Sequence, residues 1–466
     1  MLRASAAHAG PVEQMTQMSF QPGGQTAVLR YTNGGEGLFY SHDGAKTFQL
    51  ACMSSIDPTL NRGGPTMITG NGTILMGTLD GMYEAEDGGC GWSRVAQFDK
   101  TQLSDFAVHP TDKNVMFAVS WNSAAGAQNG ILRRDAGGKW SEVGTRDGSL
   151  ITRIQAVDVG GNLRFYESAS RGAARYDGGP PQLNYMIRVS DDDGMTWKEH
   201  MFHQAGNAAL RLEAVDPTDP DRLVVSLERD AEQDSIMLSD DQGATFTEYL
   251  KISDIGGVAM APDGRIWIGD KGDPMAVDPP VGLWAAPGLD QPAQKIGDYV
   301  VQCLAYEPAQ DTLYVCQHWS LGTVSENGEF MSLLKMQEAP GFLECPGQDI
   351  PAACKMQLCG AYCGPGHFAQ APLCEAYTDP TCGPAVAENV GDTSGRAISG
   401  GTGTSGLSGA TSSDPMVGGA DGGKRKRESS RGCSCSALER VPRSLAAWPI
   451  MLGGVFALLL RRTRGA

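Results

Sequence analysis

Over its first 340 residues the chain repeats one local pattern of apolar and polar positions. A short apolar strand leads into a turn rich in Pro, Asp, Gly and Asn, and a strand of alternating character follows. FAVHPTDKNVMFAVS from Phe106, LEAVDPTDPDRLVVS from Leu212 and CLAYEPAQDTLYVCQ from Cys303 carry it most clearly. Weaker forms are MSFQPGGQTAVLRY from Met18, PTMITGNGTILMGT from Pro65, IQAVDVGGNLRFYES from Ile154 and VAMAPDGRIWIGD from Val258. Alternation of period two, bounded by turn residues, predicts hairpins. The seven copies start about every 45 residues, the repeat length of a four-stranded propeller blade.

A second repeat follows the first five hairpins. SDDDGMTW spans Ser190 to Trp197, SDDQGATF spans Ser239 to Phe246, and SHDGAKTF spans Ser41 to Phe48 with Ala45 at the glycine position. Two partial copies keep Asp87, Gly89 and Trp92, and Asp135, Gly137 and Trp140. The five aspartates, Asp43, Asp87, Asp135, Asp192 and Asp241, lie 44, 48, 57 and 49 residues apart. In such a segment the Asp carboxylate and Ser hydroxyl accept N–H groups of a tight turn, Gly194 or Gly243 supplies the left-handed position, and Trp197 or Phe246 packs into the sheet. The pattern S-x-D-x-G-x-T-[WF] resembles the Asp box of the BNR, sialidase-like repeats. That resemblance implies a structural role for these aspartates. Blades 6 and 7 carry no full copy, and SENGEF from Ser325 is a remnant in blade 7.

Together these repeats predict an all-β fold: a single seven-bladed β-propeller of four-stranded blades over residues 11–340. A small Cys-rich module (341–383), a Gly/Ser/Thr-rich linker (384–432) and a C-terminal segment (433–466) with one transmembrane helix follow. Residues 1–10 read as the end of a signal peptide, with Ala7-His8-Ala9 as a cleavage site.

Cysteine distribution and the tail place the chain outside the cytosol. Of 12 cysteines, six fall at Cys345, Cys354, Cys359, Cys363, Cys374 and Cys382. Disulfides are the expected use, with a zinc site as the alternative, disfavoured because no pair of C-x₂-C knuckles is present. Cys303 and Cys316 flank a predicted hairpin and are expected to pair across it, and Cys52 is expected to pair with Cys90. The layout of a Cys-rich module after an Asp-box propeller is similar to that of sortilin-type receptors. Near the C-terminus, Cys433-Ser434-Cys435 precedes the apolar run 445–460 and then Arg461, Arg462 and Arg464. At 16 residues the run is slightly short for a helical span, and the arginines orient it with the preceding chain outside. This ending resembles the myxobacterial C-terminal sorting signal (MYXO-CTERM type). The resemblance implies a sorting protease acting near Cys433 or Cys435 and display on the outer surface of the cell envelope.

A formal charge of −17 disfavours nucleic acid as a partner. In a propeller the turns joining strands 1–2 and 3–4 share one face, and the 2–3 loops and blade links share the other. The short stereotyped turns take the first face, so binding residues are expected on the second. Residues ending strand 2 there include Asn33, Asp80, Trp121, Glu167, Glu228, Asp270 and Trp319. The longest loop, 168–185, adds Arg171, Arg175 and Tyr176. Arg229 and His318 complete the candidate rim, which suits a glycan or protein ligand.

No zinc motif, P-loop or nucleophile elbow is present, and seven histidines leave few general bases. The Arg-Ile-Pro segment of sialidases is missing ahead of the first box, and xyloglucanase-type relatives use two propellers where this chain has room for one. No catalytic residue, cofactor or metal is therefore assigned. The expected function is ligand binding or adhesion by a non-catalytic propeller. The alternatives are a sialidase-like glycoside hydrolase and a scaffold for envelope assembly.

Overall fold

The computed structural model describes residues 14–354 except 34, 58–59, 61–62, 123, 125, 174–181, 203–207, 230–232, 273–280, 339–340 and 351. The expected signal-peptide end (1–10), Arg175, Tyr176, Cys359, Cys363, Cys374, Cys382, the expected linker 384–432, Cys433, Cys435 and the apolar run 445–460 lie outside the described residues. Among the described residues no helix is long and apolar enough to cross a membrane.

Seven antiparallel sheets of four strands each make up the domain. They span residues 14–52, 63–94, 102–147, 150–202, 208–252, 255–297 and 303–335, in chain order. Every sheet is built from consecutive strands, and the first strand of each blade packs against the first strands of both neighbours, blade 7 against blade 1 included. The chain is thus a closed seven-bladed propeller whose first strands line the centre.

Middle strands are sandwiched between neighbouring blades, so they read as continuous apolar runs rather than alternating ones. ILMGT (Ile74–Thr78) is buried at every position, as is DSIMLS (Asp234–Ser239). Outer strands such as Lys198–Phe202 are mostly solvated and polar. Between the blades the core is a series of aromatic and aliphatic clusters. Phe117 of blade 3, for example, meets Phe165 of blade 4 edge-on, with ring centroids 4.8 Å apart.

The aspartate turns have the expected internal hydrogen bonding. Asp192 Oδ1 accepts Thr196 N–H at 2.8 Å, Ser190 Oγ accepts Gly194 N–H at 2.9 Å, and Ser190 donates to Asp192 at 2.8 Å. Asp241 with Ser239, and Asp43 with Ser41, repeat this. The partial copies keep only the carboxylate: Asp87 accepts Cys90 N–H, and Asp135 accepts Gly137 and Lys139 N–H. Gly194 has φ 77° and Gly243 φ 92°, while Ala45 takes the same left-handed conformation at φ 64°. Trp140 is buried edge-on against Phe98, Phe246 meets Phe202 edge-on, and Trp92 packs partly buried against the blade 1 cluster.

On this face arginines bridge successive blades. Arg164 of blade 4 pairs with Asp191 of its own 3–4 turn and Asp221 of blade 5. Arg222 of blade 5 reaches Asp240 and, in blade 6, Asp290. Arg265 of blade 6 reaches Asp263 and, in blade 7, Asp311.

Three disulfides are present among the described residues: Cys303–Cys316, Cys52–Cys354 and Cys90–Cys345. The first is the hairpin pair, whose partners lie opposite each other in register. The expected Cys52–Cys90 pair is corrected. Each of these cysteines bonds instead to the segment after blade 7, so Cys345 and Cys354 tie that segment to blades 1 and 2. The cause is the path of the chain: residues 341–343 lie beside the outer strand of blade 1, with Leu50 bridged in parallel to Phe342.

Candidate functional site

On the face opposite the aspartate turns, blades 3 to 5 carry two connected groups of charged side chains. They lie at two depths, the blade 3–4 seam and the wall of the central channel.

At the seam, register creates a ladder. Glu167 in the second strand of blade 4 faces Arg188 in the third, which faces Glu199 in the fourth. Arg188 Nη1 lies 3.0 Å from Glu167 Oε2, Nη2 lies 2.8 Å from Asp147 Oδ2 of blade 3, and Nε lies 3.5 Å from Glu199 Oε1. Its guanidinium also stacks over Trp197, 4.5 Å from the ring centroid. Arg171 clamps the same acids from outside, with Nη2 2.6 Å from Glu199 and 3.1 Å from Asp147. Glu167 is wholly buried, and its Oε1 has no hydrogen-bond partner. Burial pushes its carboxyl up to about 8, although the Arg188 charge pulls the other way. Burial also acts to raise Asp147, but the Ser149 N–H and the two arginines outweigh it and hold it below its ordinary range.

The channel wall carries Asp105, Arg153, Arg211 and Glu213 on three successive first strands, with Glu228 on the second strand of blade 5. Asp105 accepts Ile154 N–H of the next blade at 3.1 Å and lies 3.4 Å from Arg153 Nη1. Arg211 approaches Glu213 and Glu228 at 3.8 and 3.7 Å, and Ser226 Oγ donates to Glu213 at 2.7 Å. These first strands are bulged where the charges sit: register shifts occur between Ile151 and Arg153 and between Leu212 and Ala214. Burial raises the carboxyls of Asp105 and Glu228.

Several residues expected on an open rim have structural partners. Glu167 does not end its strand. The second strand of blade 4 runs on to Ala173 and the third begins at Gln182, so Glu167 lies mid-strand and Arg171 stands on a strand, not in a loop. The extension holds because Ala169 and Met186 face each other and are both buried. Asp270 is fully buried and accepts the N–H groups of Ser253, Asp254 and Gly272, fixing the link between blades 5 and 6. Arg229 donates to Gln233 O and Ser235 Oγ, and its own N–H is held by Asp234. His318 sits 3.3 Å from Gln302, and burial lowers its basicity. Trp121, Trp319 and Glu228 are partly exposed. The Asp80 carbonyl accepts Arg94 and Lys100 N–H.

Sequence reasoning missed Asp147, Arg188 and Glu199 at the seam and Asp105, Arg153, Arg211 and Glu213 in the channel. A signal for the ladder was present: Arg188 precedes the Ser190–Trp197 turn by two residues and Glu199 follows it by two, so hairpin pairing sets them opposite each other. Among the described residues no group of three or more His, Cys, Asp or Glu is placed to hold a metal ion.

No protein-family model matches the chain, and no curated protein matches it. Solved structures do. The GH74 xyloglucanase from Xanthomonas campestris matches at TM-score 0.44 and 16% identity, over 66% of this chain and 51% of that one. The β-propeller domain of the Trilobed protease from Pyrococcus furiosus matches at 0.44 and 11%, over 70% and 99%. YCF48 from Cyanidioschyzon merolae matches at 0.43 and 13%, over 66% and 93%. The match thus spans about half the length of the xyloglucanase. At these identities the likeness is one of fold alone.

Proposed function

We propose that the chain is an exported, surface-displayed β-propeller that binds a glycan or protein ligand without catalysis, on the face opposite its aspartate turns. One observation carries this reading. The buried acids of that face are committed to structure, Glu167 to Arg188 and Asp270 to three backbone N–H groups, while Trp121, Arg211 and Glu228 stay partly open to solvent. Solvent-open aromatic and paired charged groups on a rigid scaffold favour recognition. Three disulfides support an oxidising compartment. The turn residues support descent from BNR-type repeats, and the ending supports a sorting signal cut near Cys433 or Cys435.

The test is the full purified chain on a glycan array and, in parallel, on a panel of glycosidase substrates. The expected result is saturable binding that weakens in Trp121→Ala and Arg211→Ala, with no turnover. Turnover lost in Glu228→Gln overturns the reading in favour of a glycoside hydrolase. Retention of neither activity, with co-purifying envelope proteins, favours a scaffold.

A further inference from the structure

The seven blades share no strand between the last and the first, because each sheet is made of consecutive chain. The segment after blade 7 supplies a strap across this junction. Leu50 N–H donates to Gly341 O at 3.0 Å and Leu343 N–H to Leu50 O at 2.9 Å, which adds the strap to the outer edge of blade 1. Cys345 then bonds to Cys90 in the 3–4 turn of blade 2, and Cys354 to Cys52 at the end of the outer strand of blade 1. Gln348 Nε2 donates to the Cys90 carbonyl, and Ser54 Oγ donates to the Ala353 carbonyl at 2.9 Å. Leu343 and Ile350 flank Cys345 and are each 3% exposed, so apolar side chains pin the strap on both sides of that bond.

The two bonds differ in access. Cys52 and Cys354 are both 0% exposed, whereas Cys90 and Cys345 are each partly exposed. Disulfide reduction needs a thiolate to reach a sulfur. Access therefore imposes an order that the sequence separations do not.

We propose that the strap is an ordered redox latch on the ring. A dithiol opens Cys90–Cys345 first, and Cys52–Cys354 yields only after the strap between them lifts from blades 1 and 2. In each step a thiolate of the dithiol attacks one protein sulfur, and the protein S–S bond breaks to leave a mixed disulfide and one free cysteine. The second thiol of the dithiol then displaces the other cysteine. The dithiol departs as a cyclic disulfide, having given two electrons and two protons to the cysteine pair. With both bonds open the strap can leave the Leu50 edge, and blades 7 and 1 keep the packing of their first strands.

The full chain, folded and at neutral pH, is exposed to dithiothreitol. Freed thiols are trapped by alkylation and located by peptide mass spectrometry, and limited proteolysis follows residues 341–354. Cys90 and Cys345 are expected to label about tenfold faster than Cys52 and Cys354, with proteolysis of the strap tracking the second event. In C90S/C345S the inner pair should label faster than in the parent, while in C52S/C354S the outer pair should keep its parent rate within about twofold. Equal rates in the parent, inner-first labelling, or an inner rate unchanged in C90S/C345S overturn the latch. If that variant fails to fold, the labelling order of the parent decides.

Discussion

Arg188 stands directly opposite Glu167 across two strands of blade 4, with its Nη1 3.0 Å from a carboxylate oxygen of a side chain that solvent does not reach. The same guanidinium touches acids of blade 3 and of the outer strand, so one side chain ties together three strands of blade 4 and the edge of blade 3.

Stability should fall as pH rises through the titration of Glu167. Its carboxyl is raised to about 8 in the folded protein, against an ordinary value of 4.5. Between those values the folded state holds a proton that the unfolded chain has released. The stabilisation is complete below the lower value and is lost as pH climbs to the upper one, by at most about 5 kcal/mol. Urea midpoints at pH 5, 7 and 9 should drop for the parent relative to Glu167→Gln. Two curves that run parallel would remove Glu167 as the cause.

Replacing Arg188 should be among the most damaging single changes. Arg188→Met leaves Glu167 buried without its partner and frees Asp147 and Glu199, at a cost of about 3–5 kcal/mol. Adding Glu167→Gln to that background should recover part of the loss above pH 8, where ionising the unpartnered carboxyl is most costly. A double-mutant cycle in denaturant reads the coupling, and strict additivity would contradict it.

These two residues also mark how far the sequence could be read. The repeat of strand, turn and alternating strand revealed the blades because each blade is local in the chain and its turns reuse the same residues. Glu167 was visible as a charge near a strand end but not as a buried one. Its burial depends on the length of the Asn162–Ala173 strand and on the approach of Asp147 from another blade. The channel charges were hidden for a related reason: Arg153 and Arg211 alternate with apolar residues as any solvated strand would, and only ring closure turns that side inward. The pairing of Cys52 and Cys90 failed because proximity in sequence says nothing about a segment returning from residue 345.

The aspartate turns should matter for stability and not for binding. Asp43 and Asp241 lose some ionisation to desolvation, but hydrogen bonds from Thr47 and Ser41, and from Thr245 and Ser239, hold both carboxyls at about 2. Their contribution is present above the ordinary 3.8 and fades as pH drops toward 2. Asp241→Ala should cost about 1 kcal/mol and leave ligand affinity unchanged. Affinity lost without loss of stability would place the binding surface on this face instead.

The three disulfides should differ in worth. Cys303–Cys316 closes a loop of sequence separation 13, and Cys52–Cys354 one of 302. Constraint of the unfolded chain grows with loop length, from about 3 kcal/mol for a short loop to roughly 4.7 kcal/mol for a hundred-residue one. Because Cys90–Cys345 already bridges the long loop, the Cys52–Cys354 bond adds a constraint between those limits. The Cys52→Ser/Cys354→Ser variant should therefore melt lower than Cys303→Ser/Cys316→Ser by calorimetry. The reverse order would mean that the long bond is offset by structure retained in the unfolded chain.

Because every blade is uninterrupted chain, its contacts are local, and each blade can assemble as it emerges from a ribosome or a translocation pore without waiting for a distant strand. The strap comes after all seven blades, and both of its bonds reach back to the first two. Ring completion is therefore recorded covalently only after the whole propeller has been delivered, so a chain truncated before residue 345 can build blades but cannot seal them.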